Sequence, residues 1–472
     1  MARDTRGLHI VMLPWSAFGH MIPFYQFAIA LAKKGVRVSY ITTPKNISRL
    51  PTIPSELGHL VEYIRLPLPI VPNGGLPQGG EATVDLEFDE IQYLKLSFDL
   101  LNKSVKNFIL SQSPDWIVAD TLGHWLPEVA KECNVKLMFF SVYTTNFMCF
   151  MGPPEYLKEE GQKKIRSTPE SLTIPPPWGE IFPPSLAFQA HEAPGFHAGA
   201  YSKNASGISD AERVAKVLEG CDVVGFRTCR EFEGEYLDLY QRLINKPVVP
   251  VGLLPPIEGE NMDGKWHNVF KWLDEQSPRS VIYVGFGSEY KLTKTEVYEI
   301  AYGLELAQLP FIWALRKPTW AMSDAETLPS GFVTRTSEKG IVCLGWVPQL
   351  KILAHPAIGS SMFHSGWGSI IETLQHGHSL ILLPFIIDQG INARFIVEKG
   401  LGIEVDRRED GSYTRDDIAF ALKKAMIGDE ANKIKAQAMK AAKIFGDQKL
   451  HMECYISELI EFLRESGANT NK

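Results

Sequence analysis

The sequence predicts an α/β protein made of two similar units, each a parallel sheet with helices on both faces. Three observations carry that prediction. Short apolar runs alternate with stretches of helical periodicity from residue 8 onward, the pattern of repeated strand–helix–strand units. Residues 247–256 (PVVPVGLLPP) place four prolines in ten positions and break both periodicities, which reads as a stiff, extended connector. The alternation then restarts at residues 281–284. The predicted division is 1–248, 249–447 and a closing helical segment, 448–472.

Taken in order, residues 8–13 read as a first buried strand, followed by the loop 14–20 (PWSAFGH). Helical periodicity spans 22–33 and closes at Gly35; residues 36–42 and 61–66 are the next strands. Residues 67–83, rich in Pro and Gly, read as a surface loop. A helix is predicted over 88–110, a strand over 116–119 ending in Asp120, and another over 135–141 leading into the aromatic-rich stretch 143–150. Between residues 152 and 209 the pattern dissolves into prolines, glycines and isolated aromatics; a loop of that length inside a compact domain usually serves function. A strand at 223–226 precedes the connector. Beyond it, strands are predicted at 281–284, 311–315, 341–344, 361–363, 380–383 and 402–405, and a helix over 449–464.

The chain has 472 residues, enough for two or three domains with buried cores. Its net charge is −7 with no basic block, which disfavours nucleic-acid binding and attraction to an anionic membrane. The six cysteines (Cys133, Cys149, Cys221, Cys229, Cys343, Cys454) form no C-x-x-C pair and read as reduced thiols rather than a disulfide frame or zinc site. Only about six apolar residues precede Pro14, too few for a signal segment. No apolar run approaches the roughly 20 residues of a membrane span. A cytoplasmic location is expected.

The densest pattern lies between Trp346 and Gln389. It reads Trp346-x-Pro348-Gln349, then His364-x-Gly366-Trp367-x-Ser369, then Glu372, then Asp388-Gln389. A Gly/Ser-rich turn at 363–369 leads into the helix-like run 370–375. A turn that opens a helix presents free backbone N–H groups and the positive end of the dipole, which suits a diphosphate. Gly366 and Gly368 let an anion approach the backbone. Trp346 offers a flat face to a base, and Glu372, Asp388 and Gln389 offer acceptors to ribose or sugar hydroxyls. Each residue also has a plain alternative: Trp346 as a rim residue, His364 as a core histidine, Asp388 as a cap. Their joint spacing favours a ligand site. Gly285-Phe286-Gly287-Ser288 follows a strand and could open a dinucleotide fingerprint, but Tyr290 stands where the third glycine belongs.

His20 follows Gly19 at the mouth of the first sheet, where parallel sheets hold ligands. A neutral imidazole there can take a proton from a hydroxyl. Asp120 ends another strand of the same sheet and could fix the imidazole tautomer. On the residues alone, packing for His20 and helix capping ahead of Thr121 for Asp120 remain open.

The compound pattern resembles the signature box of plant secondary-product UDP-glycosyltransferases (glycosyltransferase family 1), and the resemblance runs over nearly the whole chain. It implies the GT-B fold, two facing Rossmann-like domains with the donor held mostly by the second and the last helix crossing back to the first. It implies His20 as general base and Asp120 as its partner. For the UDP-sugar it implies Trp346 on uracil, Gln349 and Glu372 on the ribose, and Ser288, His364, Ser369 and the Gly368 backbone on the diphosphate. Trp367, Asp388 and Gln389 would line the transferred sugar, and Val347 belongs to the same donor set. The reaction implied is inverting transfer from UDP to a small-molecule hydroxyl.

Two departures stand out: Gly368 where the family usually has Asn, and Ser365 where it often has Cys. Losing the amide removes a side-chain donor of about 1 kcal/mol or more. The turn after Gly377 reads His378-Ser379 in place of the usual pair. Gly368, the segment 15–20 (WSAFGH) and residues 251–256 resemble the branch-forming subset, which adds glucose, rhamnose or a pentose to a sugar already on a flavonoid, terpenoid or steroid. UDP-glucose and UDP-rhamnose are thus the expected donors, with Asp388-Gln389 favouring glucose. The acceptor is expected to be a glycoside, or alternatively the bare aglycone. Phe18, Tyr143, Phe147 and Phe385 are candidate acceptor-pocket walls, and 152–209 the pocket and its lid. No Asp-x-Asp pair is present to carry a metal-bound diphosphate, so neither metal nor cofactor is expected; the helix terminus, Ser288 and His364 would stabilise the leaving group. A monomer is expected. The rival readings are a catalytically silent nucleotide-sugar binder, which would tolerate loss of His20, and an NAD-linked oxidoreductase, which would need the missing glycine.

Overall fold

The computed structural model describes residues 7–72, 74–158, 165–179, 181–256 and 264–468. The chain's first six residues, part of the stretch read for a signal segment, lie outside them. So do Asn73 of the predicted 67–83 loop, residues 159–164 and 180 of the predicted lid, and the last four of the closing segment. Two parallel sheets dominate the described residues. The first comprises β1 (His9–Leu13), β2 (Arg37–Thr42), β3 (Val61–Arg65), β4 (Trp116–Ala119), β5 (Lys136–Ser141), β6 (Val223–Phe226) and β7 (Val248–Pro250). The second comprises β8 (Val281–Gly285), β9 (Phe311–Leu315), β10 (Gly340–Leu344), β11 (Ile358–Phe363), β12 (Ser379–Leu382) and β13 (Gly402–Glu404). Their orders are β3-β2-β1-β4-β5-β6-β7 and β10-β9-β8-β11-β12-β13. The winding direction reverses between β1 and β4 in one sheet and between β8 and β11 in the other. A reversal parts the flanking connections and opens a crevice at the carboxyl ends of the strands.

The predicted α/β class with two parallel sheets is the observed one. Alternation within single strands shows why both faces are covered. In β1, Ile10 and Met12 enter one core with Phe24, Phe27 and Leu31 of the helix Phe18–Ala32. Val11 and Leu13 enter the other with Val105, Ile109 and Val129. The closing helix Tyr455–Ala468 adds Ile456, Leu459, Ile460 and Leu463 to the first of these cores, and Trp116 Nε1 donates to the Leu463 carbonyl at 3.1 Å. Each fully buried aliphatic side chain contributes about 1.5–3 kcal/mol, so this helix is held to the first sheet by packing. The second of these cores also runs without a break from the first sheet into Trp367, Ile370, Phe395 and Phe445 of the second unit.

Several expectations need correction. His20 does not sit in a loop. The helix begins at Phe18, four residues before the predicted start at 22, and Pro23 lies inside it. The predicted boundary between 248 and 249 falls inside β7, which pairs with β6 (Val224 opposite Val248, Phe226 opposite Pro250). β7 is an edge strand, where a proline costs no ladder bond on its open side. The predicted helix 88–110 is a 3-10 turn, Phe88–Glu90, and two helices, Ile91–Asp99 and Asn102–Gln112. Within 152–209, where no pattern was read, Pro154–Leu157 and Ala193–Tyr201 are helical. β11 starts three residues before the predicted 361–363, because Gly359 and Ser360 interrupt the apolar run of a buried strand. Ser360 Oγ donates to the Ser379 carbonyl at 2.7 Å, and Ser361 Oγ pairs with His378 Nδ1 at 2.9 Å. All six cysteines are free thiols. Among the described residues no helix is long and apolar enough to cross a membrane.

Candidate active site

In the first sheet, β1 and β4 are neighbours with Leu13 opposite Ala119, so the residues that follow each strand emerge together at the reversal point. Asp120 comes directly after β4 and is fully buried. Its carboxylate accepts from Trp15 N at 2.8 Å, Thr121 N at 2.6 Å and Thr121 Oγ1 at 3.0 Å. His20, in the first turn of the helix that follows β1, places Nδ1 2.9 Å from Oδ2 and 3.0 Å from Oδ1. Burial alone would raise the Asp120 pKa, but the charge and hydrogen bond of His20 and the two backbone donors lower it. A carboxylate only accepts, so Nδ1 carries the hydrogen and Nε2 of the neutral ring is left with the lone pair. Burial alone would lower the His20 pKa; the Asp120 charge and hydrogen bond, with Glu289 and Asp388 farther off, outweigh it and raise it.

The second sheet contributes the facing wall. After β11, Ser365 adopts φ 66°, a left-handed conformation costly for a non-glycine residue. The helix Trp367–Leu374 then starts from Gly366, which provides no side-chain cap. The first N–H groups of this helix are therefore open to a ligand. The His364 ring lies against two glycines: a Cβ on Gly287 would come within 2.8 Å of it and one on Gly366 within 2.7 Å. Burial holds the His364 pKa down to about 4, so the ring is neutral, and its buried Nδ1 has no hydrogen-bond partner among the described residues. Gln349 accepts from the Tyr283 hydroxyl at 2.8 Å and donates to Glu372 Oε2 at 2.7 Å. Burial raises the Glu372 pKa against the opposing effects of Gln349 and Arg227. Trp346 is 80% exposed, with its ring 6.1 Å from Phe18 across the cleft.

Asp388 is buried, and burial pushes its pKa up to about 6. Its Oδ2 accepts from Asn392 Nδ2 at 2.7 Å; the same amide reaches the Ser365 carbonyl at 3.1 Å, and its oxygen accepts from Thr144 Oγ1 at 3.0 Å. Asn392 thus ties the Asp388 carboxylate to the turn before the helix and to the first unit. Gln389 Oε1 accepts from Phe385 N at 2.9 Å and Ile386 N at 3.0 Å. The neighbouring Ile387 has φ 55°, a strained conformation for a β-branched residue.

Residues 244–469 match the family described as UDP-glucoronosyl and UDP-glucosyl transferase. UDP-glycosyltransferase 91C1 of Arabidopsis thaliana is 39% identical over 467 residues, covering 98% of both chains. This chain belongs to the plant UDP-glycosyltransferases of glycosyltransferase family 1. The soyasaponin III rhamnosyltransferase of Glycine max is another relative, 37% identical over 98% of this chain and 96% of its own. The fold is shared with Phytolacca americana UGT2 complexed with UDP-2fluoro-glucose and pterostilbene, with a TM-score of 0.77 at 23% identity over 98% of this chain and 100% of that one. The glycosyltransferase is therefore a GT-B enzyme.

Not every residue expected at the site of this glycosyltransferase faces the cleft. Trp367 is the clearest correction: its indole is 3% exposed, donates to the Arg227 carbonyl at 2.8 Å and lies parallel to Phe232. It packs the two units together, leaving only its backbone to a ligand. Phe385 stacks on Tyr290 at 4.2 Å beneath Arg407, inside the second unit, and has no ring contact with the other three expected acceptor aromatics. Those three divide between two contacts. Tyr143 meets His20 edge-on at 5.7 Å and Phe147 at 5.3 Å, while Phe18 faces Trp346. Ser288 is partly buried, with its carbonyl accepting from Arg316 Nη1 at 2.8 Å; Val347, Gly368 and Ser369 are partly exposed.

Sequence reasoning missed Glu289 and Asn392. Glu289 accepts from Phe18 N at 3.2 Å and Thr83 Oγ1 at 2.6 Å, so a turn of the second unit caps the helix that carries His20. The only signal was its place next to Ser288. Asn392 could have been found four residues after Asp388, on the same helical face.

Proposed function

We propose that this glycosyltransferase moves glucose or rhamnose from UDP, with inversion, to a sugar hydroxyl of a plant natural-product glycoside. The observation that carries the reading is the buried His20–Asp120 pair, with Nε2 left free at the reversal point of the first sheet. The acceptor hydroxyl gives its proton to Nε2 as its oxygen attacks the anomeric carbon from the face opposite UDP. Asp120 stabilises the imidazolium that forms. UDP leaves toward the open N-terminus of the helix Trp367–Leu374, where Gly368 and Ser369 present backbone N–H groups and neutral His364 stands beside Gly287. Gln349 and Glu372 hold the ribose, Trp346 and Val347 the base side, and Asp388 and Gln389 the transferred sugar. Ser288 adds its hydroxyl to the phosphates.

Tyr143, Phe147 and Phe18 are the acceptor walls in this reading. The described residues of the predicted lid form the outer wall: Phe196 meets Phe147 at 6.0 Å, while Ser185 and Glu192 bond to Glu398 and Arg394 of the second unit. The rhamnosyltransferase relative supports rhamnose beside glucose as donor. We hold the transfer to be metal-independent, so a chelator should leave the rate unchanged; loss of activity restored by a divalent cation would reject this.

The deciding experiment incubates the protein with UDP-glucose, UDP-rhamnose and UDP-xylose against flavonoid and terpenoid glycosides and their aglycones, and reads product mass. A gain on the glycosides is expected, its size separating hexose from deoxyhexose. A gain on aglycones alone would overturn the branching claim. No gain where UDP still binds would favour the silent binder.

A further inference from the structure

We propose that Arg227, a residue of the first unit, binds the diphosphate of the UDP-sugar beside Gly368. Arg227 follows β6 directly and is 2% exposed. Its Nε donates to the Leu253 carbonyl at 2.9 Å, and its Nη2 to Gln26 Oε1 at 2.6 Å and the Leu254 carbonyl at 3.1 Å. All three acceptors are neutral. Among the described residues Arg227 makes no ion pair, and Nη1 makes no hydrogen bond. Nη1 lies 3.7 Å from the point where a Cβ on Gly368 would stand, at the first turn of the helix Trp367–Leu374. The Trp367 indole fixes the Arg227 carbonyl at the same helix end.

A buried guanidinium without a bonded counter-charge is costly, and neutral carbonyls do not offset its charge. Burial brings its pKa down to about 10, with Glu372 acting the other way through space, so it remains a cation at neutral pH. The unpaired cation and the uncapped helix terminus converge on one place, where an anion of more than one charge satisfies both. Gly368 leaves room for that approach, since a side chain there would point at Nη1. Arg227 thus supplies, from the opposite unit, a charged donor in the space vacated at position 368, and donor binding draws the two units together. As UDP departs, the same contact stabilises its developing charge.

The inference rests on the donor-site reading above, and calorimetric titration with UDP and with uridine separates the two. Wild-type protein should bind UDP far more tightly than uridine; equal affinities would sink the donor-site reading itself. In R227M and R227Q, UDP affinity should fall roughly ten- to a hundredfold while uridine affinity stays, because only the diphosphate meets the guanidinium. R227Q keeps a donor for the Leu253 and Leu254 carbonyls and carries the measurement if R227M does not fold. A folded neutral variant with the wild-type ratio of UDP to uridine affinity overturns the proposal. So does failure of both neutral variants to fold, since the charge would then serve the unliganded fold.

Discussion

The reactivity of His20 depends on which of its nitrogens carries the hydrogen, and Asp120 decides that through a 2.9 Å contact with Nδ1. Replacing His20 by Ala should cost about 10²–10⁴ in turnover while leaving UDP affinity nearly intact, as stopped-time product assays and UDP titration would reveal. Turnover comparable to wild type in H20A would reject the base assignment. His20 must be neutral to accept a proton, and its pKa lies above the ordinary 6.5. The acid limb of kcat/KM should therefore have its midpoint above pH 6.5, with activity lost as pH falls through it. In D120N the raising charge is gone and burial dominates, so the limb should move to lower pH and the plateau should drop. An unmoved limb in that variant would show that another group titrates. Both residues stand in the loops beyond predicted strands, but their roles were legible only through the family resemblance, since packing and capping were open on the residues alone. Arg227 follows a predicted strand just as Asp120 does, and Glu289 stands beside Ser288, but neither belongs to a recognised motif that would set it apart from a surface charge. Only the folded chain shows one buried and the other capping a helix of the opposite unit.

At the scale of elements, the two turns that follow β8 and β11 act as one device. The His364 ring reaches its place only because Gly287 and Gly366 have no side chains, and Gly287 sits at φ 68°. Replacing Gly287 by Ala should destabilise the protein by about 1–3 kcal/mol in a denaturant titration. Its KM for the UDP-sugar should rise more than its KM for the acceptor. A rise confined to the acceptor would argue against the donor-side placement of this turn. The element boundaries explain where prediction failed. The first half of β11 was missed because Gly359 and Ser360 interrupt its apolar run, although the Ser360 hydroxyl bonds to the Ser379 carbonyl of β12 inside the sheet. The helix that carries His20 starts before its proline, and β7 keeps Pro250 because an edge strand needs only one satisfied side.

For the whole molecule, the closing helix returns to the first sheet and contributes Leu463, fully buried beside the core of β1 and β4. Truncation to Ala there should cost about 2–5 kcal/mol of stability, read as a lower denaturation midpoint, without changing the ratio of donor to acceptor KM. A change in that ratio at unchanged stability would mean that the helix shapes the cleft directly. Trp367 belongs to this scale as well. The box motif placed it with the sugar, but its indole seals the joint between the units through Arg227 and Phe232. The Glu289 contacts with Phe18 and Thr83 and the Asn392 bond to Thr144 close the same joint on the cleft side.

By itself the sequence determined the two-sheet α/β class, the order of the strands other than β7 along the chain, and the family. These follow from local periodicity and from motifs whose members are close in number. Tertiary structure alone decided that Asp120 meets His20 across a hundred positions, that Trp367 turns away from the cleft, and that Arg227, without an ion pair among the described residues, lies against Gly368. Pairings between distant segments depend on how two sheets are wound and set against each other, and a one-dimensional pattern does not carry that geometry.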